Sequence, residues 1–536
     1  SNRKKGARKK AAAYAYKNIV ITFDIETSRL HDTEDNSIMY IWQCYIEGVG
    51  AITGRTWDEF INLLDKINSG LKSFERVIIY VHNLSFEFSF LKGILDLSEV
   101  FFIKPRKVLY AVYEGIEFRC SYFLTNMKLE KFLEQMQVEH KKLIYDYDVI
   151  RYPWTPLTDS EMQYCLNDVI GLAEAIRIRL DNDGDTLATI PYTSTGYIRR
   201  DAKKVYNKLS YWGRREIMPS YGLYRLLRTA FRGGNCHANR WYADQIIDNV
   251  CSYDRASSYP DVMLNCPFPV SSFYHTGACS PDKMIELLRD KEKAIIMKVI
   301  FKNIRLKDRM YPIPYIARFN LEACRRPVII DNGRILEAGE IELTITDIDF
   351  KIIDYQYEYD EIVVIDLYYA RYGNMKRCIK QLIIRDYIYK TSLKGGDNDY
   401  LYARSKERIN AYYGMTAQDP VKDNLIYVGG DEVCRYEGRE APELLEQSNK
   451  KAFLPYQIGV WVTAWARYRL EQGIKIVHEN GGTVLYVDTD SVKFTDINND
   501  VINGFNTFNK KASEASIKSG ITALDIKGKE HPAGVY

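Results

Sequence analysis

Residues 486–491 read YVDTDS, with apolar Val484 and Leu485 before them and Val492 and Phe494 after. Apolar runs on both sides of turn-forming residues predict a hairpin over 483–494, with Asp488 and Asp490 at its turn. Two carboxylates in one tight turn repel each other, an arrangement tolerated where a dication sits between them. The tetrapeptide alone suits an ordinary polar turn equally well, so its reading depends on the rest of the chain.

Working outward, residues 252–260 read SYDRASSYP, and Asp254 follows the apolar pair Ile246 and Ile247, which predicts a strand end there. Lys406, Asn410 and Tyr413-Gly414 recur at helical spacing and share one face. Metal-assisted transfer of a phosphoryl group needs carboxylates from separate strands around ions ~3.5–4 Å apart, and a lysine can meet phosphate oxygens as a point charge. Phe231-Arg232-Gly233-Gly234 lies upstream, and paired glycines let backbone amides approach a phosphate closely. Each piece also has a plain reading: a strand and turn, a solvated basic face, a turn before a strand.

A second acidic set lies near the N-terminus. Asp24 and Glu26, two apart on a predicted strand over 18–26, point to one face. His82, Asn83, Phe86 and Glu87 follow a second apolar run over 76–82. Tyr164 and Asp168 are four apart on a helix that opens with the capping box Thr158/Glu161.

In this order, the C-terminal motifs resemble motifs A, B and C of family B DNA polymerases, with Ser258 where leucine is usual and Ala411 in place of serine. The N-terminal set resembles the three exonuclease motifs of DnaQ-like proofreading domains, with Glu87 where aspartate is usual. Residues 231–234 resemble the YxGG motif that joins the two. GVWVTAWARY, residues 459–468, resembles a helix of the protein-primed members found in linear phage genomes and linear plasmids.

The resemblance implies a mixed α/β fold: an RNase H-like exonuclease domain followed by palm and fingers with two insertions. Asp254 and Asp490 would bind metal with Asp488 beside them. Lys406, Asn410, Tyr413, Ser257 and Lys390 would meet the nucleotide, and Tyr259 would exclude a ribose 2′ hydroxyl. Asp24, Glu26 and Asp168 would hold the exonuclease metals, Tyr164 would orient the attacking water, and Lys142 and Glu87 would support it. His82, Asn83, Phe86, Phe231, Gly233 and Gly234 would contact DNA. The implied cofactors are two Mg²⁺ or Mn²⁺ ions per site. The implied partners are template/primer DNA, dNTPs and a terminal protein.

The expected domains are a basic disordered tail (1–17), the exonuclease (18–192), a linker with the first palm segment (193–279), a terminal-protein-type insertion plus palm (280–375), fingers (376–415), a second insertion (416–456) and a second palm segment (457–536). No K-x-Y motif follows Asp490, so a thumb is expected to be truncated or supplied elsewhere. The chain has 536 residues and 46% hydrophobic composition, enough for several domains with real cores. A net charge of +3 neither supports nor opposes DNA binding. Ten cysteines without a C-x-x-C pair argue against a zinc site and fit a reducing host cytoplasm. No run approaches a membrane span of ~20 apolar residues, and a monomer is expected. The rival readings are an RNA-primed family B polymerase, a reverse transcriptase and a non-catalytic DNA-binding scaffold.

Overall fold

The computed structural model describes residues 14–30, 37–144, 146, 148–206, 217–422, 425–429, 434–436, 440–452 and 454–536. The chain divides into two compact units, one of residues 1–197 with 423–439 and one of 198–422 with 440–536.

The first unit is built on a mixed eight-stranded sheet. Its order runs Gly50–Gly54, Ser37–Ile46, Ile21–Arg29, Glu75–Val81, Ile116–Cys120, Lys107–Tyr113, Glu99–Lys104. Ile21–Arg29, Glu75–Val81 and Ile116–Cys120 run parallel. Ile78, Ile79 and Val81 are fully buried, as a parallel strand covered on both faces requires. The predicted helix spans Asp159–Asp183. The Thr158/Glu161 capping box satisfies its first amides, and Gly184 ends it at φ 63°.

The second unit holds an antiparallel four-stranded sheet, ordered Cys251–Asp254, Ser491–Thr495, Thr483–Asp488, Cys236–Ala238. A seven-stranded sheet with long central strands Lys293–Leu306, Arg334–Thr346 and Glu361–Gly373 occupies the expected first insertion. Buried residues of helices Ser258–Asn265, Arg377–Ser392, Asp399–Thr416 and Gln457–Glu479 form the largest core of this unit.

Several expectations need correction. Ala15–Tyr16 is not tail: it pairs in parallel with Glu75–Val81, the Ala15 amide donating to the Phe74 carbonyl and the Lys17 amide to the Arg76 carbonyl, while residues 1–13 lie outside the described residues. The expected linker at 193–196 instead opens the helix Ser194–Tyr206, as Ser and Thr commonly do at helix starts. The strand before Asp254 begins at Cys251. Ile246 is 96% exposed and belongs to the loop before it. The second insertion is not one body. The hairpin Leu425–Tyr427 with Cys434–Tyr436 belongs to the first unit, where Leu425 and Tyr427 pack on the hydrophobic core, whereas helix Ala441–Lys451 belongs to the second.

The basic residues of the first insertion are largely neutralised where they stand. Lys302 pairs with Glu361, Arg305 with Glu358 and Asp360, and Arg325 with Glu340; Lys307 donates to the Asp354 carbonyl. Cross-strand pairing places opposite charges side by side, so these cations have acidic partners on their own sheet.

Candidate catalytic centres

In the first unit, Asp24 and Glu26 project from the strand Ile21–Arg29, and Asp168 projects from the helix Asp159–Asp183. Carboxylate oxygens of the three lie within 4.8 Å of one another. Burial, with the neighbouring Asp168 charge, pushes the Asp24 carboxyl up to about 7. Burial and the charges of Asp24 and Asp168 hold Glu26 well above the ordinary range. Burial also raises Asp168, opposed by Lys142, whose Nζ donates to Asp168 Oδ2 at 2.5 Å and to the Tyr164 hydroxyl at 3.2 Å. Such crowding of partly desolvated carboxylates is costly without a cation. Among the described residues, buried Asp168 Oδ1 has no hydrogen-bond partner, which fits an oxygen left for a cation.

Glu87 lies on the helix Ser85–Leu91, 3% exposed. Burial and the Asp24 charge hold its carboxyl well above the ordinary range, and it hydrogen-bonds Asp24. The side chain, longer than aspartate, thus reaches the centre from a helix rather than from a strand end. His82 bonds Ser121 Oγ through Nδ1 at 3.0 Å, and burial depresses it to about 4, so it is a neutral, packed ring. Asn83 (φ 76°) is exposed, and Phe86, 43% exposed, packs edge-on against Phe90.

In the second unit, Asp254 and Asp488 are both register partners of Ser491, on strands either side of it. The Arg255 amide donates to the Asp490 carbonyl at 3.0 Å, which brings the three carboxylates to one end of the sheet. They form no group as tight as the first. Burial and the charge of Asp254 push Asp490 up to about 6. Burial raises Asp254, and the Lys406 charge opposes it. Lys390 Nζ donates to Ser257 Oγ at 2.7 Å. Burial, with the Lys394 and Lys406 charges, lowers this amine to about 8. Tyr259 stacks on Tyr413, centroids 4.0 Å apart and planes 10° from parallel. Lys406 and Asn410 are exposed on the same helix.

The turn carrying Asp488 and Asp490 has Thr489 at φ 58°. The Thr489 amide donates to the Asn235 carbonyl at 2.9 Å, and a Cβ on Gly234 would lie 2.6 Å from Thr489 Oγ1. Gly234 is therefore needed for close approach of this turn, while Gly233 faces open space. Phe231 ends the helix Tyr221–Ala230 and packs against Tyr456 rather than presenting a free face.

Two buried arginines escaped the sequence reading. Arg467 pairs with Asp349 at 2.7 Å and donates to the carbonyls of Arg232 and Gly233 at 2.6 and 3.0 Å. Burial would raise the Asp349 carboxyl, but the Arg467 and Arg232 charges override it and hold Asp349 at about 2. Arg255, 1% exposed, pairs with Asp261 and donates to Ser258 Oγ at 2.9 Å, which gives the serine at the usual leucine position a role. The available signals were an arginine within an otherwise apolar helical run and the T-x-x-D capping pattern of Thr346 and Asp349.

A family model described as DNA polymerase type B, organellar and viral, matches residues 153–456. The chain belongs to this family. This type B member is 23% identical over 385 residues to the DNA polymerase of Bacillus phage Nf, covering 68% of this chain and 58% of that one. It is 23% identical over 357 residues to the DNA polymerase of Bacillus phage phi29, covering 65% and 55%. The matches thus span less than two thirds of those relatives' length. Phi29 DNA polymerase complexed with primer-template DNA has a similar fold, with a TM-score of 0.70 and 17% identity over 91% of this chain and 82% of that one. No helix among the described residues is long and apolar enough to cross a membrane.

Proposed function

We propose that this type B member is a DNA-dependent DNA polymerase with a 3′→5′ proofreading exonuclease, replicating a linear viral or plasmid genome in a host cell from a protein primer. The observation that carries the polymerase reading is the carboxylate set at the end of the antiparallel sheet. Asp254 and Asp488 flank Ser491 there, the Lys406 charge reaches Asp254, and Tyr259 stacks on Tyr413. Asp254 and Asp490 would hold the ions, with Asp488 beside them. Lys406 and Lys390 supply positive charge for a triphosphate, as lysines do for phosphate oxygens. The Tyr259–Tyr413 stack forms a flat wall suited to the sugar and base of an incoming nucleotide.

The exonuclease reading rests on the tight Asp24, Glu26 and Asp168 group, with Lys142 and Tyr164 touching Asp168 or each other. The strand order around Ile21–Arg29 and the parallel pairing with Glu75–Val81 suit the RNase H-like fold. When bound, divalent cations in either centre would activate the attacking oxygen and stabilise the leaving one. Tyr164 and Lys142 would then orient a water, and Glu87 would hold a proton against Asp24.

Primer–template DNA accompanies phi29 DNA polymerase in its solved structure, and the protein-primed reading rests on the resemblance of residues 459–468 to a helix of protein-primed members. The test is extension of a DNA primer with Mg²⁺ and dNTPs, alongside labelling of candidate terminal proteins by a dNTP. Extension with labelling is expected. Extension without labelling of any cognate protein would reduce the reading to a generic type B polymerase, and neither reaction would leave a DNA-binding scaffold.

A further inference from the structure

The helix Asp159–Asp183 carries two adjacent lines of side chains. One holds Tyr164 and Asp168. The other, at helical spacing, holds Gln163, Asn167, Gly171 and Glu174. The segment 139–142, which has no helix or strand of its own, is stitched to this second line residue by residue. Glu174 Oε2 accepts the amides of Glu139 and His140, each at 3.2 Å, and Glu174 Oε1 bonds His140 Nδ1 at 2.6 Å. Asn167 Nδ2 donates to the Lys141 carbonyl at 2.8 Å, and Gln163 Nε2 donates to Asn167 Oδ1 at 2.6 Å. The His140 carbonyl packs directly on Gly171, where any Cβ would overlap its oxygen. The next residue, Lys142, reaches Asp168 and Tyr164.

Glu139, His140 and Glu174 bring ligand atoms close enough to hold a cation. Both Glu174 oxygens are already engaged, however, so the cluster reads as a clasp. We propose that Gln163, Asn167, Gly171 and Glu174 are positioning residues that set Lys142 on Asp168 and Tyr164. A lysine on an irregular segment has a flexible four-carbon stem, and this stitching fixes the backbone from which its amine reaches. The proposal rests on the exonuclease reading.

Gly171→Ala separates positioning from general stability. Alanine is the better helix former, so the helix itself should not suffer, while the new Cβ must push the His140 carbonyl, and the segment with it, off the helix. Single-turnover and steady-state hydrolysis of a single-stranded oligonucleotide with Mg²⁺, without dNTPs, would be measured for Gly171→Ala, Asn167→Leu, Glu174→Leu and Glu174→Gln. Each would be measured alone and combined with Lys142→Ala, alongside hydrogen exchange of the Glu139 and His140 amides. Turnover should fall roughly 10–100-fold for the first three, as for partners that orient a catalytic group, with KM little changed and melting temperature held. Glu174→Gln, which keeps an oxygen for the amides, should retain most turnover. In the Lys142→Ala background the same changes should cost nothing further.

Losses that multiply with Lys142→Ala would overturn the positioning role, as would a fully active Gly171→Ala chain whose amides have lost protection. An unmodified chain that binds the oligonucleotide and hydrolyses none would overturn the exonuclease reading and positioning with it. Protected amides in that chain would show that the clasp serves only to hold the segment.

Discussion

In the first unit, Asp24, Glu26 and Asp168 crowd within 4.8 Å, with burial raising each and a lysine already on one of them. In the second, Asp254 and Asp488 stand exposed, and only Asp490 is half-buried. The enclosed centre is arranged by direct contacts among its own side chains. The open centre is arranged from behind, by backbone that buried arginines and a glycine hold in place. Under the proposed function, the buried group would serve one strand end and a water, and the exposed sheet end a duplex and a triphosphate.

The largest effect expected from this contrast is separation of the activities. Asp254→Asn or Asp488→Asn should lower nucleotide addition by ~10³-fold or more, the scale of several kcal/mol of lost charge stabilisation, and leave hydrolysis intact. Asp24→Asn with Glu26→Gln should do the reverse. Primer extension and oligonucleotide degradation by the same folded variants decide this, and loss of both activities from either set would collapse the two-centre picture.

The dependence of the open centre on buried support is tested by Arg467→Leu. It removes the ion-pair partner of buried Asp349, which should cost about 3–5 kcal/mol in denaturant unfolding. It also releases the Arg232 and Gly233 carbonyls, so nucleotide addition should fall while hydrolysis persists. Unchanged stability would show that the pair is not the anchor.

The smallest effect compares electrostatic strain. Asp24 titrates at about 7 in the fold against an ordinary 3.8. An acid raised on folding leaves the fold most stable below its unfolded value and removes stability as pH climbs from about 4 to 7. Metal-free Asp24→Asn should therefore be more stable than the unmodified chain at pH 8, by about 2–4 kcal/mol from the shift, and the gain should vanish near pH 4. Mg²⁺ should stabilise the unmodified chain and not the variant. Asp254→Asn, at an exposed carboxylate, should show little of this, and equal gains at the two sites would erase the contrast.

The hairpin of 483–494, the helix over 159–183 and the first strand were legible because period-two and period-3.6 patterns, caps and turn residues are local signals. The strand before Asp254 was misplaced because Ile246-Ile247 is as apolar as a strand but lies exposed in a loop. The Ser194–Tyr206 helix was missed because its polar start has the composition of a linker. Lys142 was found through resemblance, yet its footing on Asn167, Gly171 and Glu174 had no sequence signal, since the bonds join residues 26 to 35 positions apart.

The sequence by itself determined which residue types stand where: paired carboxylates, a lysine at helical spacing from Tyr413, glycines ahead of the Asp254 strand. These are properties of neighbours along the chain, where turn chemistry and periodicity operate. Only the tertiary structure decided what those residues face. Burial holds the Asp24 and Glu87 carboxyls above the ordinary range, Gly234 lets the turn at Thr489 approach closely, and Lys302, Arg305 and Arg325 of the first insertion pair with acidic residues of their own sheet. Desolvation, packing distance and cross-strand charge all depend on groups brought together from distant parts of the chain, and no local pattern records them.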